Sequence, residues 1–116
     1  MTPAIVLKDD QPYIVVGTKG GTTIPTSVFQ TLVNIIEFGM STEEAVYKPK
    51  FHHQWLPDTI VVEKDFPLAI RDSLKKIGYH VSERSSIGRT EVIKILNNRK
   101  FEAVADNRGD DDAEGW

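Results

Sequence analysis

The chain contains no cysteine. Disulfides, thiolate nucleophiles and cysteine-based zinc sites are therefore excluded, and cysteine usage gives no indication of the redox compartment. Long apolar runs are also absent, so no segment is able to span a bilayer as a helix and no membrane partner is predicted. Met1 is not followed by the basic and then apolar pattern of a signal peptide.

Acidic and basic residues nearly balance along the chain except at its C-terminal end. The formal net charge is −3, and residues 106–116 hold five acidic residues against Arg108, a net −4 that leaves +1 for residues 1–105. Neither part has the basic surface of a nucleic-acid-binding protein, so no nucleic-acid partner is predicted. The composition predicts one globular portion over residues 1–105 and an acidic, solvated C-terminal tail over residues 106–116.

A glycine-rich turn is the feature around which the rest of the chain is organised. Residues 13–16 (YIVV) are β-branched and aromatic, which predicts a buried strand, and Gly20 and Gly21 follow shortly after it. Pro25 suits the first turn of a helix, with Thr22 and Thr23 as candidate caps. Two glycines just before a helix N-terminus can point their N–H groups at an anion, or they can simply reverse the chain.

Further apolar periodicities predict the remaining elements. Strands are expected over residues 4–8, 59–63, 80–83, 90–96 and 101–105, the first of them joined to the strand at residue 13 by a hairpin. Residues 25–38 predict a mostly buried helix, Ser41 begins a short helix with a capping box, and Asp65 is the expected cap of a third helix that ends at Gly78. The order of elements predicts an α+β fold with one antiparallel sheet and helices on one face.

Two of the three histidines occur in a segment of unusual composition, residues 51–58 (FHHQWLPD). Adjacent residues point in different directions on a strand or a helix, so His52 and His53 do not easily share one ion, and His80 is distant in sequence. No metal and no cofactor are therefore predicted. We expect these histidines to be hydrogen-bonded to backbone groups in a packed, aromatic-rich loop.

Taken together, the motifs resemble the C-terminal part of the small subunit of γ-glutamyltransferase (γ-glutamyl transpeptidase). Residues 1–6 (MTPAIV) are similar to that family's MSPTIV, residues 17–21 (GTKGG) to its GSPGG, and residues 51–57 almost letter for letter to its FHHQWLP. Asp106, Arg108 and the terminal Gly115-Trp116 are similar to its DPR and closing GY. Lys19 replaces a proline that is frequent in the family's turn.

The resemblance implies a partial N-terminal-nucleophile hydrolase fold, an αββα sandwich produced by autocleavage of a precursor. It implies that Gly20 and Gly21 form an oxyanion hole with their backbone N–H groups. The family's nucleophilic threonine lies upstream of this chain, and its carboxylate-binding serine pair would immediately precede Met1. The implied partners are therefore the large subunit, the N-terminal part of the small subunit and a small γ-glutamyl substrate such as glutathione.

The resemblance predicts that this chain alone is inactive and that its exposed apolar surfaces cause self-association. Family members are commonly exported, and any export signal would lie outside this chain. Two alternatives stay open, namely an amidase or acylase relative of the same fold and a stand-alone, non-catalytic binding module. The sequence immediately upstream of Met1 would distinguish the enzyme from the module.

Overall fold

The computed structural model describes residues 3–115, and the predictions for Met1, Thr2 and Trp116 lie outside this range. Its seven strands are β1 Ala4–Lys8, β2 Gln11–Thr18, β3 Phe51–His52, β4 Ile60–Glu63, β5 Val81–Arg84, β6 Thr90–Ile95 and β7 Phe101–Val104. The three α-helices are α1 Ile24–Ile36, α2 Thr42–Tyr47 and α3 Leu68–Ile77, and a 3₁₀ turn at Gly21–Thr23 leads directly into α1. No helix within residues 3–115 has the length and hydropathy needed to cross a membrane.

A four-stranded antiparallel sheet in the order β1-β2-β6-β7 forms the larger layer. The β1–β2 hairpin turns at Asp9 and Asp10, which both have positive φ (52° and 61°) as the tight hairpin turns with the matching twist require. The core lies on one face of this sheet, where α1 and α2 pack. Its buried members are Ile14, Val16, Ile35, Ala45, Val46 and Val92. The predicted α+β class and the placement of these helices are confirmed.

A second, three-stranded sheet corrects the prediction of one antiparallel sheet. Its order is β3-β4-β5, and β4 pairs with β5 in parallel. Parallel pairing needs a long crossover, which α3 provides between the two strands. The helix starts at Leu68 after Pro67, with no side-chain cap. The predicted Asp65 cap is therefore wrong, whereas Gly78 (φ 115°) ends the helix as expected.

Helix α1 turns a polar side inward. Ser27, Gln30 and Thr31 are buried together with Ile35, while Phe29 is 62% exposed and Ile36 is 49% exposed. The sequence correctly predicts the helix but wrongly predicts that most of its surface is buried. Of these inward polar side chains, Gln30 bonds the backbone of Phe51 in β3.

Candidate oxyanion site

The glycine turn lies between the end of β2 and the start of α1. Gly20 has φ 139° and Gly21 has φ 60°, conformations that side-chain-bearing residues rarely adopt. Among residues 3–115 the Gly20 and Gly21 N–H groups have no hydrogen-bond acceptor. The turn thus presents two neighbouring unpaired donors at the N-terminal end of a 13-residue helix, where the helix dipole favours negative charge.

Thr23 holds the backbone of this turn in place. Its hydroxyl donates to the Gly20 carbonyl at 2.9 Å, and its N–H donates to the same oxygen at 3.2 Å. Thr23 is the residue preceding α1, but its side chain makes no capping bond to the helix. The predicted capping role is therefore wrong, and the side chain instead fixes the peptide between Gly20 and Gly21. Pro25 occupies the first turn of α1 as predicted.

The two glycines differ in the space around them. A Cβ on Gly20 would collide with Thr23 Oγ1 and lie 3.5 Å from Gly88 Cα, whereas a Cβ on Gly21 would meet nothing within 4 Å. Gly20 therefore faces the protein and Gly21 faces open space.

Charged side chains surround a cavity beside the turn. It is lined by Lys19, Arg89, Glu91 and Asp111, and the Arg89 guanidinium pairs with the carboxylates of Asp110 and Asp111. Burial raises the pKa of Glu91 to about 6, with a further contribution from Asp111. The acidic tail therefore reaches back to the neighbourhood of the glycine turn, although Asp110 itself stays exposed.

The start of the predicted tail is not solvated. Asp106 is buried, and its carboxylate accepts from the Thr90 N–H at 2.6 Å and from Arg108 Nη1 at 2.9 Å. Arg108 in turn donates Nε and Nη2 to the buried carboxylate of Glu63 at 2.6 and 2.7 Å. Composition alone misses this cluster because it cannot show that an acid and an arginine in a polar segment each have a buried partner. The division at residue 105 stays a prediction about domain organisation.

The histidine segment contacts the first turn of α1. His52 is buried, with Nδ1 2.8 Å from Thr26 Oγ1 and Nε2 3.0 Å from Gln54 Oε1. His53 pairs with Asp58 at 2.9 Å. His53 Nδ1 also accepts from the Trp55 N–H at 3.3 Å, so the predicted backbone bonding holds for His53 but not for His52, whose two partners are side chains. Trp55 is 78% exposed, so the prediction of a packed loop is wrong at that residue. In the part of the chain that the structure describes, no group of side chains is arranged to hold a metal ion.

Comparison with solved structures shows the class of fold. The chain superposes on a crystal structure of γ-glutamyltranspeptidase from Helicobacter pylori with a TM-score of 0.89 and 39% identity, covering 94% of this chain and 61% of that one. It also superposes on cephalosporin acylase from Bacillus halodurans with a TM-score of 0.89 and 26% identity, covering 98% and 22%. The chain therefore has the α+β architecture of part of an N-terminal-nucleophile hydrolase.

The family follows from the sequence itself. The family model described as Gamma-glutamyltranspeptidase matches residues 1–116. The glutathione hydrolase proenzyme of Escherichia coli strain K12 is 38% identical over 112 residues, which cover 97% of this chain but 19% of that protein. The chain belongs to the γ-glutamyltranspeptidase family and spans about a fifth of the length of this relative.

Proposed function

We propose that this chain forms part of a γ-glutamyl-transferring enzyme and supplies its oxyanion hole through the N–H groups of Gly20 and Gly21. One observation carries the proposal: both N–H groups lack an acceptor within residues 3–115 at a turn that opens to free space beside Gly21. Membership of the family supports the reaction class. The substrate is a γ-glutamyl amide such as glutathione.

The chemistry requires groups from outside this chain. A threonine hydroxyl of the assembled enzyme attacks the γ-glutamyl carbonyl carbon, and the threonine's own α-amino group takes the hydroxyl proton. The carbonyl oxygen becomes an oxyanion that accepts hydrogen bonds from Gly20 and Gly21. Its collapse expels the protonated amine and leaves a γ-glutamyl ester, which water or another amine then cleaves. A donor of this kind contributes about 2.7–4 kcal/mol to transition-state stabilisation.

The partners we propose are the large subunit and the remaining part of the small subunit. The exposed apolar residues of this chain support that proposal, because soluble monomers rarely leave extensive apolar surface uncovered. Phe29 on α1, Ile93 and Phe101 on the outer face of the larger sheet, and Leu68 on α3 are each more than 40% exposed. Isolated from those partners, the chain associates with itself.

A second candidate function is hydrolysis of another amide by the same fold. The likeness to cephalosporin acylase supports this candidate. The residues that would bind the glutamyl group, and so distinguish the two reactions, are not in this chain. The glycine turn would serve either reaction, since both pass through a tetrahedral oxyanion. The stand-alone binding module remains the non-enzymatic alternative.

A chromogenic assay tests the proposal. We expect a full-length enzyme carrying this chain in its small subunit to release p-nitroaniline from γ-glutamyl-p-nitroanilide, and to release little from the glutaryl anilide that lacks the α-amino group. Preference for the glutaryl substrate would favour the acylase, and no release from either anilide would favour the module.

We expect the purified 116-residue chain alone to release no product from the γ-glutamyl anilide, because it lacks the upstream threonine and the glutamate-binding residues. Thr2 would become N-terminal if Met1 were removed, but Pro3 follows it and the family's nucleophilic threonine lies upstream of this motif. Release by the chain alone, abolished by Thr2→Ala, would contradict this assignment of the nucleophile.

A further inference from the structure

We infer that Gly88 is a positioning residue for the oxyanion site, because its bare Cα fills the gap between the glycine turn and the first turns of α1. The inference rests on the function proposed above for Gly20 and Gly21. Gly88 lies 67 residues beyond Gly21 in the sequence, in the loop between β5 and β6, and is itself distinct from the predicted site.

Hydrogen bonds on both sides fix the loop at this point. The N–H of Ile87 donates to Glu63 Oε1 at 2.7 Å, and the N–H of Arg89 donates to Thr18 Oγ1 at 2.8 Å. Glu63 is anchored in turn by Arg108. The backbone of Gly88 is therefore held between two short contacts and has little freedom to move away from β2.

Contacts around Gly88 leave no room for a side chain. Gly88 has φ 72°, and a Cβ there would lie 2.6 Å from Ser27 Oγ, 3.1 Å from Ser27 Cβ and 3.0 Å from Thr18 Oγ1. Both neighbours are fully buried. Rotating the Ser27 hydroxyl, which has no hydrogen-bond partner in the described residues, would still leave the contact with its Cβ. Relief would require movement of α1, β2 or the loop.

These neighbours determine the position of the turn. Thr18 ends β2 two residues before Gly20, Ser27 lies in the first turns of α1 after Gly21, and Gly88 Cα itself is 3.5 Å from the place where a Gly20 Cβ would lie. A displacement at Gly88 therefore shifts Thr18 and Ser27, which flank the turn, and the side of Gly20 that faces Gly88. Misplacement of catalytic groups by about 1 Å can cost about 10²-fold in rate, so a smaller shift of the two N–H groups lowers kcat measurably.

The experiment compares Gly88→Ala with Gly39→Ala in a processed full-length enzyme carrying this chain. Gly39 has nearly the same backbone conformation, φ 64°, but a Cβ there meets nothing within 4 Å, so it controls for backbone strain. Gly88→Ala should lower kcat by about tenfold or more with a smaller change in KM, because the oxyanion forms only after binding. Gly39→Ala should leave kcat within about twofold. Adding Ser27→Gly, which removes both Ser27 contacts, should recover at least about threefold of the lost kcat.

Amide deuterium exchange provides a readout that does not depend on turnover or on processing. In the full-length protein carrying this chain, Gly88→Ala should accelerate exchange across residues 17–24 by about tenfold, whereas Gly39→Ala should not. Unchanged kcat and unchanged exchange in Gly88→Ala would overturn the inference, as would an equal loss of kcat in Gly39→Ala. If Gly21→Ala lowers kcat while Gly88→Ala does not, the positioning role fails and the oxyanion site stands. If Gly21→Ala also keeps full kcat, the proposed function itself fails.

Discussion

Glu63 is the residue that ties together the elements behind the glycine turn. Its buried carboxylate accepts four hydrogen bonds, from the N–H groups of Lys50 and Ile87 and from two nitrogens of Arg108. Burial alone would raise the pKa of Glu63, but the hydrogen bonds from Arg108, Lys50 and Ile87 outweigh it and lower the pKa. A depressed carboxylate pKa contributes stability above the unfolded-state pKa, and this contribution is lost as the pH falls through the folded-state pKa.

Lys50 gives the cluster a second dependence on pH, which has the same sign as that of Glu63 but lies at higher pH. Its side chain is buried, and burial, together with the charge of Arg108, lowers its pKa to about 8 from 10.5. Between these two values the unfolded chain binds more protons than the folded chain, so stability should rise as the pH increases from about 8 to about 10. Below pH 8 the buried charge is a cost to the folded state.

The variant Lys50→Met tests this cost. It removes the charge and keeps an unbranched side chain, and the Val46 carbonyl that accepts from Lys50 Nζ retains a hydrogen bond from Arg108 Nη1. We expect Lys50→Met to raise the free energy of unfolding at pH 7 by about 1–3 kcal/mol and to remove the rise above pH 8. Urea unfolding of both chains from pH 6 to 10 provides the measurement. A variant less stable than wild type at pH 7 would contradict this account of Lys50.

At the scale of elements, α1 shows what periodicity can and cannot predict. The apolar spacing of residues 25–38 correctly predicts a helix, but it does not predict that Gln30 faces inward. The Gln30 amide bonds both backbone groups of Phe51: Nε2 donates to its carbonyl at 2.7 Å, and Oε1 accepts from its N–H at 3.0 Å. The side chain thus acts as an additional strand partner for β3, and only the tertiary structure reveals this role.

Gln30→Ala and Phe29→Ala form a matched pair on the same helix. Gln30→Ala leaves two backbone groups of Phe51 without this partner and should cost about 1–3 kcal/mol of unfolding free energy. Phe29 is 62% exposed, so its loss should change the stability of this chain by no more than about 0.5 kcal/mol. Equilibrium unfolding of the three chains compares them. Equal losses, or a larger loss for Phe29→Ala, would show that the polar side of α1 is not its anchored side.

Other elements were predictable to the extent that their signals are local. The β1–β2 hairpin, the glycine turn, the Ser41 cap and the Gly78 helix end each depend on residues adjacent in sequence, and the structure confirms them. Ser41 Oγ, for example, accepts from the Glu44 N–H at 3.1 Å. The parallel pairing of β4 and β5 depends on how α3 crosses between them, and the role of Gly88 depends on a contact with Ser27 from a distant part of the chain. No local pattern encodes either feature.

At the scale of the whole molecule, the chain forms layers without a closed core. Its radius of gyration is 15.1 Å, whereas a compact domain of this length is expected near 13 Å. The outer face of the larger sheet exposes Ile5, Ile93 and Phe101 by 62%, 43% and 72%. An exposed apolar sheet face of this kind favours association.

We expect sedimentation velocity of the isolated chain to show a concentration-dependent increase in mean mass. Ile93→Lys, which places a charge in the middle of the open face, should shift the distribution towards monomer more than the same change at Ile77, an exposed residue of α3. A monodisperse wild-type monomer at high concentration would show that the open face does not drive association.

The most direct test of the central claim is the steady-state kinetics of Gly21→Ala in a processed full-length enzyme carrying this chain, with Gly39→Ala and His52→Ala beside it. Gly21→Ala adds a Cβ on the open side of the turn at φ 60° and touches no described residue. We predict a loss of about 10² or more in kcat with a smaller change in KM, the scale for losing one oxyanion donor. Gly39→Ala should keep kcat, and His52→Ala should show mainly lower stability or poorer autocleavage. A Gly21→Ala enzyme with near wild-type kcat, beside a folded and processed His52→Ala enzyme without turnover, would place the site in the histidine segment and contradict the account.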